Sequence, residues 1–582
     1  MKYIISYENP QSHYVDIEFI ADKISGTETL VQLPAWRPGR YELGNFSKNI
    51  QRWSAFDEGG NVLAFSKQDR NTWKVNTKGV NQLHVRYNYY AAEINAGSSF
   101  LDESQLYMNP VNCCVYIPGR LEEKCEVDIM VPDNYKLACG LRCKAEHGSS
   151  GSQILKMQAA DYHELADSPF IASPTLLHNM FVMDGVEYHL WFQGECKPDW
   201  PKLINDFFIF INEQFLTMKE FPVPVYHFIF QVLPFRYYHG VEHLNSTVIA
   251  LGPSYNIMRG EGYEDLLGVS SHELFHAWNV KNIRPSEMLP YDYSTENYSR
   301  QGFVYEGVTT YYGDLFLLRS GVFSEAQYFK TFNQHLQKHF DNPGRFNMSV
   351  ADASFDTWVD GYVQGIPDRK TNIYDEGCLT AFIIDILIRE NSGNRNSLDD
   401  VMRLLFYQHA KNNMGYSEKD YLNIVNQVAG TKLDDTFRRY IYGKEDYTDI
   451  LNYCLDLVGL QLLSEPSQKF HERSFGFKVT ETGGLTKVTN VLPGSIAFIA
   501  GLRPGDEIIS VNGFKVNGDL NDWCSYFEGE PTLFFLFRSG EMKIAKMVPL
   551  KEIYYKTLKL AFRTNPSKEQ LLAYHSWSKR KS

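Results

Sequence analysis

Alternating apolar and polar positions characterise the first part of the chain. Residues 14–19 and 83–87 place apolar side chains at every second position, which is the period of a strand with one buried face. Turn-forming residues separate such runs, for example at 57–60 and 132–134. We therefore predict an N-terminal β-sandwich domain over residues 1–165.

A helical period replaces this alternation in the middle of the chain, where apolar residues recur every three or four positions. The helices predicted from this period are 200–218, 264–280, 302–319, 377–390, 398–409 and 417–428. Two strands, 226–233 and 241–249, are predicted before the long helical part. We assign residues 166–455 to a second, mostly helical domain.

Strand-like segments with Gly and Pro at the turns return after residue 456, and we predict a third domain over residues 456–550. The last segment, 551–582, is rich in polar residues and is predicted to be a polar C-terminal tail. Together these patterns predict a multidomain α+β protein, and a length of 582 residues fits several domains of ordinary size.

Charge and composition narrow the classes of partner. The net charge is −13, whereas nucleic-acid-binding proteins present a basic face, so no nucleic-acid partner is expected. No apolar run approaches the length of about 18 residues that spans a bilayer, so no membrane partner is expected. The nine cysteines form no CxxC pair and the N-terminus lacks a secretory signal. We therefore expect reduced thiols and a cytoplasmic location.

The motif HExxH carries the strongest chemical signal. His272 and His276 are four residues apart, so on a helix they project to the same side and can bind one metal ion. Glu273 lies beside them, where it can act as a general base. Leu274 and Trp278 fall on the opposite side of the helix. This separation of polar and apolar faces favours a metal site over two solvent-facing histidines.

A catalytic zinc takes three protein ligands and keeps a fourth position for water. Glu306 is the candidate third ligand, because its neighbours on the same helix side are small and would allow two helices to approach closely. These neighbours are Gly302, Thr309, Thr310 and Gly313. Two histidines, a glutamate ligand and a neighbouring glutamate base form the donor set of thermolysin-type peptidases. We predict one Zn²⁺ per chain and hydrolysis of peptide bonds by water.

Five separated motifs span nearly the whole chain. They are LPAWRPG at 33–39, HGVEH at 239–243, HELFHAWN at 272–279, EGVTTYY at 306–312 and YDEG at 374–377. With these motifs the chain resembles the PDZ-containing glycyl aminopeptidase family of gluzincin zinc metallopeptidases. The resemblance implies an N-terminal β domain, a thermolysin-like catalytic domain and a PDZ domain. It also implies that the enzyme releases small N-terminal residues, typically Gly or Ala, from peptides.

The resemblance also implies further site residues. In related aminopeptidases a Gly-x-x-Glu-Asn-type motif lies on a strand at the edge of the cleft, and its Glu binds the free amine of the substrate. Gly240, Val241 and Glu242 occupy similar positions here as substrate-binding residues, with His243 in place of Asn. Tyr374 resembles a catalytic tyrosine that donates a hydrogen bond to the oxyanion of the tetrahedral intermediate.

Some positions depart from related enzymes. Glu376 replaces the Lys that follows the tyrosine in their motif, and Thr310 stands where thermolysin-like enzymes have an Asp that orients a zinc-bound imidazole. Asp314 lies one turn further on, and the orienting residue is left open. Lys281 and Arg284 follow the metal helix, either as substrate contacts or as solvated charges.

The third domain looks like a PDZ domain. Its signature segments are Phe475-Gly476-Phe477, Pro493-Gly494-Ser495, the stretch 501–506 and Val511-Asn512-Gly513. The loop at 475–477 would present N–H groups to a peptide C-terminal carboxylate, and the adjoining strand edge would accept an added strand. The alternative is a structural module that only packs against the catalytic domain, and both interpretations stay open.

Two alternatives compete with a zinc aminopeptidase. One is a zinc endopeptidase whose PDZ domain tethers the substrate. In an aminopeptidase, loss of Glu242 should abolish cleavage of free-amine substrates but spare blocked ones, whereas equal activity on acetylated and free substrates would indicate an endopeptidase. The other is a binding protein in which a retired catalytic fold presents the PDZ domain, and the zinc content separates it from an enzyme.

Overall fold

The computed structural model describes residues 1–147, 151–361 and 365–580. Its N-terminal domain consists of strands with two short helices among them. The strands are β1 (Lys2–Ser6), β2 (Tyr14–Ala21), β3 (Glu28–Gln32), β4 (Ile50–Phe56), β5 (Phe65–Lys67), β6 (Thr72–Asn76), β7 (Leu83–Tyr90), β8 (Phe100–Leu101), β9 (Leu106–Met108), β10 (Cys125–Pro132), β11 (Lys136–Cys139), β12 (Cys143–His147), β13 (Ser152–Ala159) and β14 (Phe170–Ser173). The helices are α1 (Pro110–Cys113) and α2 (Tyr162–Ala166).

Three sheets of this domain enclose one apolar core. Their strand orders are β12-β13-β10-β1-β2-β7-β4, β11-β14-β9-β8 and β3-β6-β5. The alternation predicted for residues 14–19 is present in β2, where Val15, Ile17 and Phe19 are buried and their neighbours are less so. The domain extends through β14 and therefore ends several residues beyond the predicted boundary at residue 165.

The second domain combines a five-stranded sheet with a large helical part. The strands are β15 (Leu177–Met183), β16 (Val186–Gln193), β17 (Val225–Val232), β18 (Tyr237–Glu242) and β19 (Ser246–Gly252). The helices are α3 (Trp200–Met218), α4 (Gly260–Phe275), α5 (Thr309–Ser320), α6 (Glu325–Asp341), α7 (Val350–Phe355), α8 (Thr357–Asp360), α9 (Ile373–Ser392), α10 (Leu398–Gln408), α11 (Glu418–Ala429), α12 (Asp434–Thr436) and α13 (Thr448–Leu457). A π-helical turn, Phe303–Val308, leads directly into α5.

The segment predicted as one strand, 241–249, instead forms parts of two strands. β18 and β19 pair antiparallel, and the N–H of His243 donates to the carbonyl of Ser246 at 2.9 Å across the turn. The turn contains no Gly or Pro, and the weaker turn signal of Asn245-Ser246 was not recognised, so the prediction of one strand was wrong. The sheet order is β15-β16-β17-β19-β18, which places β18 at an edge.

Helix α9 forms the centre of the helical part. Nearly all of its residues are buried, including the charged residues Asp375, Glu376, Asp385 and Arg389. The side chain of Asn372 caps its start by accepting from the N–H groups of Tyr374 and Asp375. Helix α5 packs against both α4 and α9, and these three helices carry the HExxH, EGVTTYY and YDEG motifs.

The third domain is inserted between two paired strands. The elements that follow α13 are β20 (Leu460–Pro466), β21 (Phe477–Thr482), β22 (Leu485–Val491), α14 (Ile496–Ile499), β23 (Glu507–Val511), β24 (Phe514–Lys515), α15 (Leu520–Tyr526), β25 (Thr532–Arg538), β26 (Glu541–Met547), β27 (Lys556–Phe562) and α16 (Lys568–Ser578). Strand β20 pairs antiparallel with β27, with Leu460 opposite Phe562 and Pro466 opposite Lys556. The sheet β21-β22-β23-β25-β26 lies between these two strands in sequence.

The structure does not support a polar tail over residues 551–582. Strand β27 and helix α16 lie in this segment, and Tyr574 and Trp577 of α16 are each only 1% exposed. Trp577 donates its indole N–H to the hydroxyl of Tyr311 at 2.7 Å. Two aromatic side chains are enough to fix an otherwise polar helix against the helical domain, so composition alone gave a wrong prediction.

Within the described ranges, no helix combines the length and the apolar character needed to cross a bilayer. All nine cysteines lie in these ranges, and each is a free thiol.

Candidate metal centre

Helix α4 presents two imidazoles to a cavity. His272 lies in its last turn and His276 caps its C-terminus, with their Nε2 atoms 3.0 Å apart. Leu274 and Trp278 are fully buried in the apolar core. His276 donates its Nδ1–H to the carbonyl of Asn279 at 2.6 Å, which turns its Nε2 toward His272. The structure brings the two imidazoles together as the helical wheel predicts.

Glu306 reaches the imidazoles from the π-helical turn Phe303–Val308. Its Oε2 lies 3.5 Å from Nε2 of His276 and 3.8 Å from Nε2 of His272. A Cβ atom added to Gly313 would meet the Cα of His272 at 3.1 Å, so a larger residue there would push the two helices apart. The small residues beside Glu306 therefore permit the close approach that the sequence predicts.

The three donor atoms fit a zinc ion. Tetrahedral ligands at about 2.0–2.1 Å from zinc are about 3.3 Å from one another, and the observed separations of 3.0, 3.5 and 3.8 Å bracket this value. Imidazole nitrogens and carboxylate oxygens are also common zinc ligands. Residues His272, His276 and Glu306 are thus a set that could hold the metal.

Buried carboxylates surround the imidazoles. Glu242, Glu273 and Glu306 are 3%, 5% and 2% exposed. Burial raises the pKa of Glu273 well above its usual value, and although His276 opposes this, Glu242 and Glu306 raise it further. Burial lowers the pKa of His276, but Glu306, Glu242 and Glu273 raise it to about 10. Three carboxylates are therefore crowded together in a buried site, and a bound cation would stabilise their charged forms.

Strand β18 and the N-terminal domain fix two of these carboxylates. Gly240 lies against Glu273, and a Cβ atom there would stand 2.2 Å from Oε1 of Glu273. Gly39 of the N-terminal domain lies against Glu242, where a Cβ atom would stand 2.5 Å from Oε2. Donor atoms of Glu242, Glu273 and His276 all lie within 4.8 Å of one another. The candidate amine anchor is therefore next to the candidate metal ligands.

The side chain of Val241 does not belong to this group. Successive residues of a strand point to opposite faces, and Gly240 and Glu242 line the cavity. Val241 is fully buried on the other face, in an apolar cluster that includes Tyr107 and Ile171 of the N-terminal domain. Its predicted role in substrate binding is therefore wrong as far as its side chain is concerned, since it anchors the sheet to the N-terminal domain.

Tyr374 lines the same cavity, which has a volume of about 960 Å³. The two residues that follow it are tied to α6. His335 donates from Nδ1 to Asp375 at 2.7 Å, and His339 donates from Nδ1 to Glu376 at 2.6 Å. Glu376, the substitution for Lys in the motif, is buried and fixes the start of α9 against α6.

The contact that orients His276 comes from the main chain. Its partner is the carbonyl of Asn279, at 2.6 Å. Thr310 uses its hydroxyl to donate to a main-chain carbonyl one turn earlier, and Asp314 lies 3.3 Å from Nε2 of His335. A backbone acceptor thus takes the place of the carboxylate of related enzymes, and it leaves no signal in the sequence.

Lys281 and Arg284 take roles that the sequence did not indicate. Lys281 is buried and donates to Asp167 at 2.7 Å, while His243 donates from Nδ1 to the same carboxylate at 3.0 Å. Burial raises the pKa of Asp167, but Lys281 and His243 hold it below its usual range. Arg284 lies over the ring of Tyr291 at 3.9 Å. Lys281 is thus part of a buried ion pair beneath the site.

Tyr41, which the N-terminal domain contributes, is a further residue of the site and was not predicted from the sequence. Its hydroxyl donates to Oε1 of Glu306 at 3.1 Å, and its side chain is 1% exposed. The LPAWRPG motif at 33–39 points to the loop that carries Tyr41, and no local pattern marks the tyrosine itself.

Three sequence models of known families match the chain. The Peptidase M61 N-terminal domain matches residues 2–174, the M61 glycyl aminopeptidase matches residues 265–380, and a PDZ domain matches residues 487–536. No match was found among curated proteins. These matches confirm the predicted order of an N-terminal β domain, a helical middle domain and a C-terminal PDZ domain.

One solved structure shares the fold of the whole chain, and a second aligns with part of it. An aminopeptidase N family protein from Idiomarina loihiensis superposes with a TM-score of 0.90 at 25% identity, and the alignment covers 99% of each chain. An M1 zinc metallopeptidase from Deinococcus radiodurans has a TM-score of 0.48 at 12% identity, over 76% of this chain and 94% of that one.

Proposed function

Since the chain belongs to the M61 glycyl aminopeptidase family and is a metallopeptidase, we propose that it is a zinc-dependent aminopeptidase that releases Gly and Ala from peptides. The observation that carries this proposal is a buried carboxylate, Glu242, within 4.8 Å of a candidate metal ligand, His276. The description of the family as glycyl aminopeptidases supports the preference for small residues.

The geometry supports a proposed role for each residue of the site. His272, His276 and Glu306 would hold zinc, and when bound zinc would polarise the scissile carbonyl and lower the pKa of a water molecule. Glu273 is buried beside these ligands and accepts the proton of the attacking water, then delivers it to the leaving amine. Tyr374 lines the cavity and donates its hydroxyl to the developing oxyanion.

Glu242 gives the aminopeptidase character. The amine nitrogen and carbonyl carbon of one residue are about 2.5 Å apart, so an ammonium bound to Glu242 places the first peptide bond at the metal ligands. Gly39 presses against the Glu242 carboxylate from the N-terminal domain and limits the space beyond it. A peptide with further residues on the N-terminal side of the scissile residue would therefore have little room beyond Glu242.

A metal assay tests the enzyme class. We expect about one zinc per chain, loss of activity with a chelator, and recovery when zinc is added back. On a panel of aminoacyl chromogenic substrates we expect Gly and Ala to be cleaved fastest. Absence of zinc from protein with intact ligands would favour the retired-enzyme alternative, and a preference for Leu or Arg would contradict the specificity alone.

A substitution tests the amine anchor. Truncating one partner of a buried charge pair costs about 2–5 kcal/mol, so Glu242→Ala should lower kcat/KM on free-amine dipeptide amides on the order of 10²- to 10³-fold. Glu264→Ala is a matched control, because Glu264 also lines the cavity but hydrogen-bonds Gln327 and Lys330. Equal cleavage of acetylated and free substrates by the wild-type protein would support an endopeptidase instead.

The endopeptidase alternative needs the PDZ domain to capture peptide C-termini. Strand β21 lies at the edge of its sheet, where a peptide strand can be added. In the loop before β21, however, the N–H of Gly476 donates to the carbonyl of His471 at 3.1 Å. That N–H group is already used within the domain, which counts against its binding a peptide carboxylate.

A further inference from the structure

Tyr41 contacts the candidate metal centre from a different domain. Its hydroxyl donates to Oε1 of Glu306 at 3.1 Å, while Oε2 of the same carboxylate faces the Nε2 atoms of His276 and His272 at 3.5 and 3.8 Å. The two oxygens of Glu306 therefore have separate partners. Tyr41 and Glu306 are 1% and 2% exposed, so bulk water does not compete for this hydrogen bond.

We propose that Tyr41 is a positioning residue that holds Glu306 with a single oxygen directed at the metal. The N-terminal domain thereby completes the metal centre. This inference rests on the proposed function, because it takes Glu306 as a zinc ligand.

The geometry of Tyr41 is fixed by packing on both sides of the domain boundary. Its ring lies 5.0 Å from that of Tyr305, the residue before Glu306, and 6.2 Å from that of Trp358. Trp36 packs edge-on against Trp358 at 5.0 Å and donates its indole N–H to the carbonyl of Asp292 at 2.7 Å. A hydroxyl carried on such a buried aromatic cluster has little freedom to move away from Glu306.

The hydrogen bond has a chemical consequence for the ligand. A buried carboxylate oxygen that does not bind the metal needs a donor, and its loss leaves an unsatisfied acceptor. Without the Tyr41 hydroxyl, Oε1 of Glu306 would lack a hydrogen-bond donor. The side chain would then rotate, or it would direct both oxygens toward the metal. Either change disturbs the tetrahedral arrangement, and removal of such outer partners typically weakens metal affinity about 10- to 100-fold.

Zinc affinity of the full chain tests the proposal. Tyr41→Phe removes the hydroxyl and keeps the ring, and Tyr3→Phe is the matched control, because Tyr3 is also buried and donates to the carbonyl of Val115 at 2.8 Å within the N-terminal domain. In competition with a chromogenic chelator, we expect zinc to bind Tyr41→Phe about 10- to 100-fold more weakly and Tyr3→Phe as tightly as wild type. Cobalt substitution gives a second readout, because its visible spectrum should change in Tyr41→Phe alone.

A double-mutant cycle separates a positioning role from a merely structural one. In a Glu306→Gln background, the additional loss of the Tyr41 hydroxyl should no longer weaken zinc binding, because its effect passes through that carboxylate. Should Tyr41→Phe not accumulate as folded protein, Tyr41→Leu is a second hydroxyl-free variant for the same assays.

The outcomes are distinguishable. Zinc affinity of Tyr41→Phe within about twofold of wild type, with an unchanged cobalt spectrum, would overturn the inference even if the variant were less stable. Failure of the wild-type protein to bind zinc at all would instead overturn the proposed function on which it rests.

Discussion

The contact between Gly240 and Glu273 permits a sharp prediction for Gly240→Ala. Gly240 lies on edge strand β18, and its added Cβ would stand 2.2 Å from Oε1, 2.7 Å from Cδ and 2.9 Å from Cγ of Glu273. Three successive atoms of the side chain are too close, so a small rotation of the carboxylate alone does not relieve the clash. Glu273 is 5% exposed, and its carboxylate can move only within the cavity that it lines.

The size of the effect follows from the distances. An ordinary contact between a carbon and an oxygen atom is about 3.3 Å or longer, so the carboxylate of Glu273 must move by about 1 Å. A displacement of about 1 Å in a reacting group can lower the rate on the order of 10²-fold, which corresponds to about 2.7 kcal/mol in the activation free energy.

Steady-state kinetics on glycyl and alanyl amides measure this effect. We expect Gly240→Ala to lower kcat while zinc content stays at the wild-type level, because Glu273 is the proposed base and not a proposed ligand. Gly268→Ala, on α4, is the matched control, since a Cβ atom there meets nothing within 4 Å. That control should be active and more stable by up to about 1 kcal/mol, because Ala favours a helix over Gly.

A folded, zinc-containing Gly240→Ala protein with the kcat of the Gly268→Ala control would refute the reasoning. It would show that Glu273 either tolerates the displacement or does not transfer the proton.

Other perturbations address stability. Burial lowers the pKa of His335, but its two aspartate partners raise it to about 9. The stabilising contribution of His335 is therefore complete below its unfolded pKa of about 6.5 and is lost as the pH rises through 9. Between these pH values, the Tm of the wild type should fall more steeply than that of His335→Gln. Lys281→Met should lower the free energy of unfolding by about 3–5 kcal/mol in urea titrations, because it leaves the buried Asp167 carboxylate without its ammonium partner. Trp577→Ala should cost about 3–5 kcal/mol, whereas a residue in a solvated tail would cost almost nothing.

The sequence predicted those parts of the site that depend on neighbours along one helix. The positions of His272 and His276, and of the buried Leu274 and Trp278, follow from the helical period alone. Glu306 could be predicted because the requirement for a third ligand and the small residues around it agreed.

Contacts between distant segments could not be predicted in this way. Tyr41 and Glu306 are 265 positions apart, and an isolated tyrosine in a loop has no periodic signal. Lys281 illustrates the same limit, because its buried partner Asp167 comes from a segment 114 positions away. A charged residue is usually exposed, and only the fold reveals that this one has a buried partner.

The prediction of a polar C-terminal tail was wrong for a different reason. Tyr574 and Trp577 are three positions apart, and Ser567 and Gln570 form a capping box at the start of α16. These signals were present in the sequence, but an average over a mostly polar segment obscured them.

The pairing of β20 with β27 determines how the PDZ domain is attached. Both of its ends leave from one point, where Pro466 lies opposite Lys556, and Lys478 forms an ion pair with Asp341 at the end of α6. A domain joined by a single flexible linker samples many orientations. The PDZ domain is instead joined to the catalytic domain by two paired strands, which restrict its orientation. Any chain bound to it would therefore approach the catalytic domain from one fixed direction, with a local concentration set by geometry and not by linker length.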